Sequence, residues 1–107
     1  MRKNSPCILV ATFLLASVVL AADKPPSYTP LDGFVPNEQT AIRIATAIWI
    51  PIYGAENIAR EKPYKATLRA DGVWLVRGSL PKGWIGGVAE AEISKVDGRV
   101  LRVFHGK

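Results

Sequence analysis

Between Ala41 and Ile52 the apolar side chains return at intervals of three and four. Ala41, Ile42, Ile44, Ala45, Ile48, Trp49 and Ile52 form one stripe, with Arg43, Thr46 and Ala47 to the other side. The spacing predicts an amphipathic helix over Asn37 to Tyr53. Asn37 follows Pro36 and can accept from a free first-turn amide, and Glu38 lies favourably at the positive end of the helix dipole. Pro51 removes the bond to the carbonyl of Ala47, so a kink or tightening is expected there before Gly54 ends the helix in a left-handed cap. A short second helical turn fits Glu56 to Glu61. The period then drops to two. Pro63 to Arg69 places Tyr64, Ala66 and Leu68 on one face, and Val73 to Ser79, Val88 to Lys95 and Arg99 to His105 follow as three more strands. Ala70-Asp71-Gly72 turns the first into the second, and Asp97-Gly98 is the dipeptide favoured in a tight hairpin. Gly78 marks a bulge or bend, and the loop Leu80 to Gly87 joins the middle strands. The pattern predicts an α+β fold, one main helix packed on a four-stranded antiparallel meander. Ile44, Ile48 and Ile52 are expected to meet Leu68, Val76, Ala91 and Leu101.

Upstream of the helix the character changes. Met1-Arg2-Lys3 is a positive start, Cys7 to Leu20 an apolar core of secretory length, and Val19-Leu20-Ala21 a small-residue cleavage site, which together read as a signal peptide over 1–21. The apolar run is shorter than the ~20 residues of a membrane span. The expected product is periplasmic or secreted and free of the membrane once the leader is cut after Ala21 or Ala22. Residues 22–36 hold half of the eight prolines and read as a linker or extended arm, leaving 37–107 as the domain. Cys7 precedes the apolar core and leaves with the leader, so no disulfide supports a domain this small. Its core must hold it alone, or a homodimer must.

Charge and chemistry narrow the classes. The formal net charge of +5 loses two positives with Arg2 and Lys3, and the remaining basic residues alternate with acids without a basic run or stacking motif, which argues against nucleic acid. His105 is the single histidine, so no histidine-based metal cluster is expected, and it reads as a strand-end surface or packing residue. Ser27, Ser79 and Ser94 lack a nucleophile-elbow context. Glu90 and Glu92 share one strand face at ~7 Å, a carboxylate-pair separation, but their alternation with Ala89, Ala91 and Ile93 reads as a solvated sheet face. The glycines around Trp84 lack the helix start and lysine of a phosphate loop. No catalytic set and no cofactor site emerges. Trp49 and Trp74 read as core. Trp84, beside Ile85 and Lys82 in a Gly/Pro loop, reads either as an interface anchor or as a plug for one end of the sheet. As an anchor it would gather Trp84, Ile85, Lys82, Arg77, Glu90 and Arg102 into a partner-binding surface with a polar rim.

The stretches Glu38-Gln39-Thr40-Ala41-Ile42, Ile52-Tyr53-Gly54, Lys62-Pro63-Tyr64, Gly72 to Gly78, Gly86 to Glu90 and Asp97 to Val100 through His105-Gly106-Lys107 resemble small bacterial immunity proteins of the nuclear transport factor 2-like fold. The resemblance implies a non-catalytic inhibitor that binds a polymorphic or contact-delivered protein toxin. Fewer elements are visible than a full cone of that fold needs, which implies a reduced, cystatin-like roll. The resemblance carries over no toxin-contacting residue. Glu92 to Val100 after an alanine-rich helix also resembles exported PepSY domains, implying restraint of a protease, and a small ligand-binding roll is a third class.

Overall fold

The structure, a computed structural model, describes residues 24–107; the expected leader, its cleavage site and Cys7 lie outside the described residues. No helix among the described residues is long and apolar enough to cross a membrane. The elements run α1 (Glu38–Tyr53), α2 (Ala55–Ala59), β1 (Lys65–Leu68), β2 (Val73–Arg77), β3 (Ala89–Ser94) and β4 (Val100–His105). All strands pair antiparallel in the order β1-β2-β3-β4, the expected meander.

Local chemistry sets the helix ends. The Asn37 side chain accepts from the Thr40 amide at 2.9 Å, satisfying a first-turn donor. Pro51 sits inside α1 without ending it. Gly54 closes the helix by donating to the Ile50 carbonyl at 2.8 Å, and its φ of 94° comes with a ψ of 141°. That backbone is extended along ψ, not the left-handed helical cap expected, because Gly54 also has to open α2 at the next residue.

The helix lies across β1, β2 and β3. Ala41, Ala45 and Trp49 are fully buried against Trp74, Val76, Ala89, Ala91 and Ile93, and Ile42 and Ile44 pack at the flank. This corrects the expected core line. Ile48 is only half-buried and Ile52 is 57% exposed, because the small residues Ala41 and Ala45 let the helix settle close to the alanines of β3 and the isoleucines then splay outward. Val76 and Ala91 occupy their expected places. Leu68 faces the core from an edge strand and stays 42% exposed. Leu101 does not join the core either: Arg102 pairs with Glu92 and Val100 with Ile93, so Leu101 is the extra residue of a bulge and is 43% exposed. The bulge therefore lies in β4, whereas Gly78 ends β2 and packs against the Glu61 side chain.

Two turns complete the frame. Gly72 carries the positive φ of the β1–β2 turn. The β3–β4 turn is wider than the tight hairpin expected, running through Lys95, Val96, Asp97 and Gly98 between Ser94 and Arg99. The arm upstream of α1 lies against it. Phe34 and Val35 donate their amides to the Val96 and Lys95 carbonyls at 3.0 Å each, Val35 is fully buried, and its carbonyl accepts from the Trp74 indole at 2.8 Å. The carbonyls of the turn thus hold the segment that lies beside it.

Candidate functional site

Register places two kinds of row on the sheet. Ala66, Val76, Ala91 and Val103 share one row under the helix, while Lys65, Arg77, Glu90 and Phe104 form a row on the outer face, beside Thr67, Leu75, Glu92 and Arg102. Acids and bases alternate outside. Arg77 Nε lies 3.4 Å from Glu90, and Glu92 stands between Arg69 at 3.6 Å and Arg102 at 3.9 Å. The Arg102 guanidinium also covers the Phe104 ring at 4.2 Å. Glu90 and Glu92 are thus engaged by cations and stand as a charge-balanced sheet face, not as a free carboxylate pair.

Lys82, Trp84 and Ile85 occupy the loop between β2 and β3. Gly83, with a φ of 84°, allows the turn in which Trp84 donates its amide to the Pro81 carbonyl at 3.0 Å. The turn holds Trp84 58% exposed and Ile85 99% exposed, so the indole does not plug the sheet. The six residues expected to form one surface do not share one hollow. Trp84 and Ile85 line a cleft of about 450 Å³ toward α2, and Arg77 and Glu90 line a hollow of about 470 Å³ on the outer face. Leu80, Gly86 and Gly87 border both, so the loop is the divide between them. Lys82 and Arg102 line neither.

The cleft has a polar wall that sequence reasoning missed. Glu61, only 7% exposed, follows α2 and reaches across to the far strands. One of its carboxylate oxygens accepts from the Ala89 amide at 2.7 Å, and the other lies 2.9 Å from His105 Nε2. The second ring nitrogen, Nδ1, lies 2.8 Å from the Gly106 carbonyl oxygen, an acceptor only, so Nδ1 donates there. With acceptors at both nitrogens the imidazolium form is the one best satisfied. The bond to Gly106 raises the pKa of His105, and the Glu61 carboxylate adds to the rise against the opposing effect of burial. The Tyr53 ring meets the imidazole edge-on at 5.2 Å. His105 is therefore a strand-end packing residue with an added ionic partner, and neither nitrogen is free to take a proton from a substrate.

Glu61 also governs the loop. Its carboxylate holds Ala89 just beyond the loop, and its main-chain carbonyl accepts from the Ser79 amide just before it at 2.6 Å. Ser79 Oγ in turn donates to the Pro63 carbonyl at 2.6 Å. Both feet of the loop rest on one short segment. No local signal in the sequence marks Glu61, because its partners lie 28 and 44 positions away.

Residues 40–107 match the family described as NTF2 fold immunity protein. The chain is 38% identical over 76 residues to an uncharacterized protein, YhhH, of Escherichia coli (strain K12); the match takes in 70% of this chain and spans 59% of the relative's length. No solved structure matches the chain.

Proposed function

The chain belongs to the NTF2 fold immunity proteins, and from that premise we propose that it neutralises one bacterial protein toxin by binding it, without catalysis, through the loop carrying Trp84. The family supports the general role of toxin neutralisation. The observation that carries the choice of surface is the pair Trp84 and Ile85, held outward on a hydrogen-bonded turn whose feet are fixed by Glu61. An exposed aromatic on a rigid support loses little conformational entropy when it is buried by a partner. Lys82 stands on the same loop, and Arg77, Glu90 and Arg102 on the outer face supply the rim of both signs. Neither protease restraint of the PepSY kind nor a ligand-binding roll gains support from the family match.

Co-expression with toxin genes encoded beside this one, followed by affinity measurement on the pair that shows protection, tests the reading. Trp84→Ala is expected to weaken binding by ~2 kcal/mol or more, about thirtyfold, with far less effect on unfolding. Undiminished protection by this variant would remove the loop from the interface. The leader reading belongs to the same proposal: the protein acts in the periplasm or outside the cell as a species beginning at Ala22 or Asp23. Intact-mass measurement on the exported protein decides that point, and a membrane-bound species retaining Met1 to Ala21 would replace it with an anchor.

A further inference from the structure

The positive charge of this molecule is unevenly answered. On the outer face Glu90 and Glu92 stand against Arg77, Arg69 and Arg102, and Arg69 is also held by Asp71 at 2.8 Å. Around the cleft the balance fails. Glu61 is the single acidic side chain lining it, and both of its oxygens are committed, one to the Ala89 amide and one to His105. Arg60 and Lys107 line the same cleft, and among the described residues neither forms an ion pair with a carboxylate side chain. Arg60 is hydrogen-bonded to the neutral Asn57 side chain. The opposite wall is apolar: Leu80, Pro81 and the exposed faces of Trp84 and Ile85.

We infer that this cleft is the part of the surface that receives the toxin, and that it takes a protruding acidic segment carrying an apolar or aromatic side chain. The apolar side chain lies on Trp84 and Leu80, and a neighbouring carboxylate reaches Arg60. Charge complementarity selects this occupant over a basic one, because a cationic segment would meet the side chains of Arg60 and Lys107, while both oxygens of the one acidic side chain lining the cleft, Glu61, are already engaged. The outer face offers no such selection, since its charges already answer one another. Its arginines are rim, and the cleft is the centre. The inference rests on the toxin-binding reading and narrows it to one wall of the molecule and one partner chemistry.

The test needs no identified toxin. The isotope-labelled protein is titrated, with amide and side-chain NMR signals followed, using two capped pentapeptides that differ only in charge: a central phenylalanine flanked by two glutamates, or by two lysines. The acidic peptide is expected to shift the Trp84 indole, Arg60 and His105 signals saturably, with an affinity that falls several-fold as salt rises from about 20 to about 200 mM, as for a partly exposed ion contact. Arg60→Glu should weaken that binding at least tenfold with the spectrum otherwise preserved. Arg43→Glu, on the exposed side of α1, should change it less than twofold. Equal shifts from the lysine peptide, shifts confined to the outer face, the same shifts from sodium phosphate alone, or no saturable shift at the cleft would each overturn the inference. Toxin protection that persists through any of these results leaves the immunity reading standing with another surface, whereas loss of that reading would show in the co-expression assay instead.

Discussion

Replacing Trp49 by alanine is expected to lower the unfolding free energy by about 3–5 kcal/mol, the range for truncating a large aromatic in a closed core. Trp49 is fully buried at the centre of the helix-sheet contact, its ring meets Tyr64 edge-on at 5.8 Å, and its indole donates to the Glu90 carbonyl at 3.3 Å. The neighbours on the helix, Ala41 and Ala45, are too small to fill the hole. Small domains have only ~5–15 kcal/mol in total, so the variant should be partly unfolded at physiological temperature. Ile48→Ala makes the contrast. A half-buried isoleucine contributes about half of the ~1.5–3 kcal/mol of a fully buried one, so its loss should cost about 1 kcal/mol. Denaturant unfolding of the two variants side by side checks the ranking. Equal costs would mean that the isoleucine line, not the alanine-tryptophan line, faces the sheet.

Glu61→Ala is expected to cost about 2–4 kcal/mol. It leaves the fully buried Ala89 amide without an acceptor and removes the ionic partner of His105; the figure sits below that for a fully buried pair because the His105 side chain is 33% exposed. The same change should loosen both feet of the loop, so toxin binding should fall together with stability, unlike the Trp84→Ala case. The pair also gives stability a pH dependence of defined sign. The folded-state pKa of His105 is raised, so its contribution is fully present below the unfolded value of ~6.5 and is lost as pH rises through the folded value. The wild-type protein is therefore expected to lose stability through this pair as pH rises above the unfolded value of ~6.5. Glu61→Gln keeps an acceptor for Ala89 and can donate to a neutral imidazole, so it should retain much of the stability while flattening that part of the profile. An unchanged slope in this variant, measured by thermal unfolding across the range, would show that the dependence arises elsewhere.

The architecture was legible because its signals are local. Asn37 at the cap, the three- and four-residue returns through Trp49, the period-two strands and the glycine at each turn all act over a few positions. The isoleucines misled for a physical reason: hydrophobicity ranks Ile48 and Ile52 above Ala41 and Ala45, while close approach of a helix to a sheet favours the small side chains. Leu101 was misplaced because a bulge shifts register by one residue, and nothing in its neighbours announces it. The loop with Trp84 was visible as glycine and proline around an aromatic. The cleft it borders was not, since Glu61 is made a wall of that cleft by partners on strands that come much later in the chain. Arg60 and Tyr53 join it for the same reason.

The contact of Phe34 and Val35 with the β3–β4 turn bears on where the molecule can be cut. The family match begins at residue 40, yet Val35 fills a fully buried position and its carbonyl is the partner of the Trp74 indole. A fragment trimmed to the matched region would leave that indole's donor unanswered inside the core and strip two amide bonds from the rim of the sheet. Gly33 cannot be exchanged freely either, since its φ is 83° and a β-carbon there would run into the Lys95 carbonyl. For expression, for grafting onto another carrier or for placing an affinity tag, the usable cassette starts upstream of Gly33, in the exposed stretch around Tyr28.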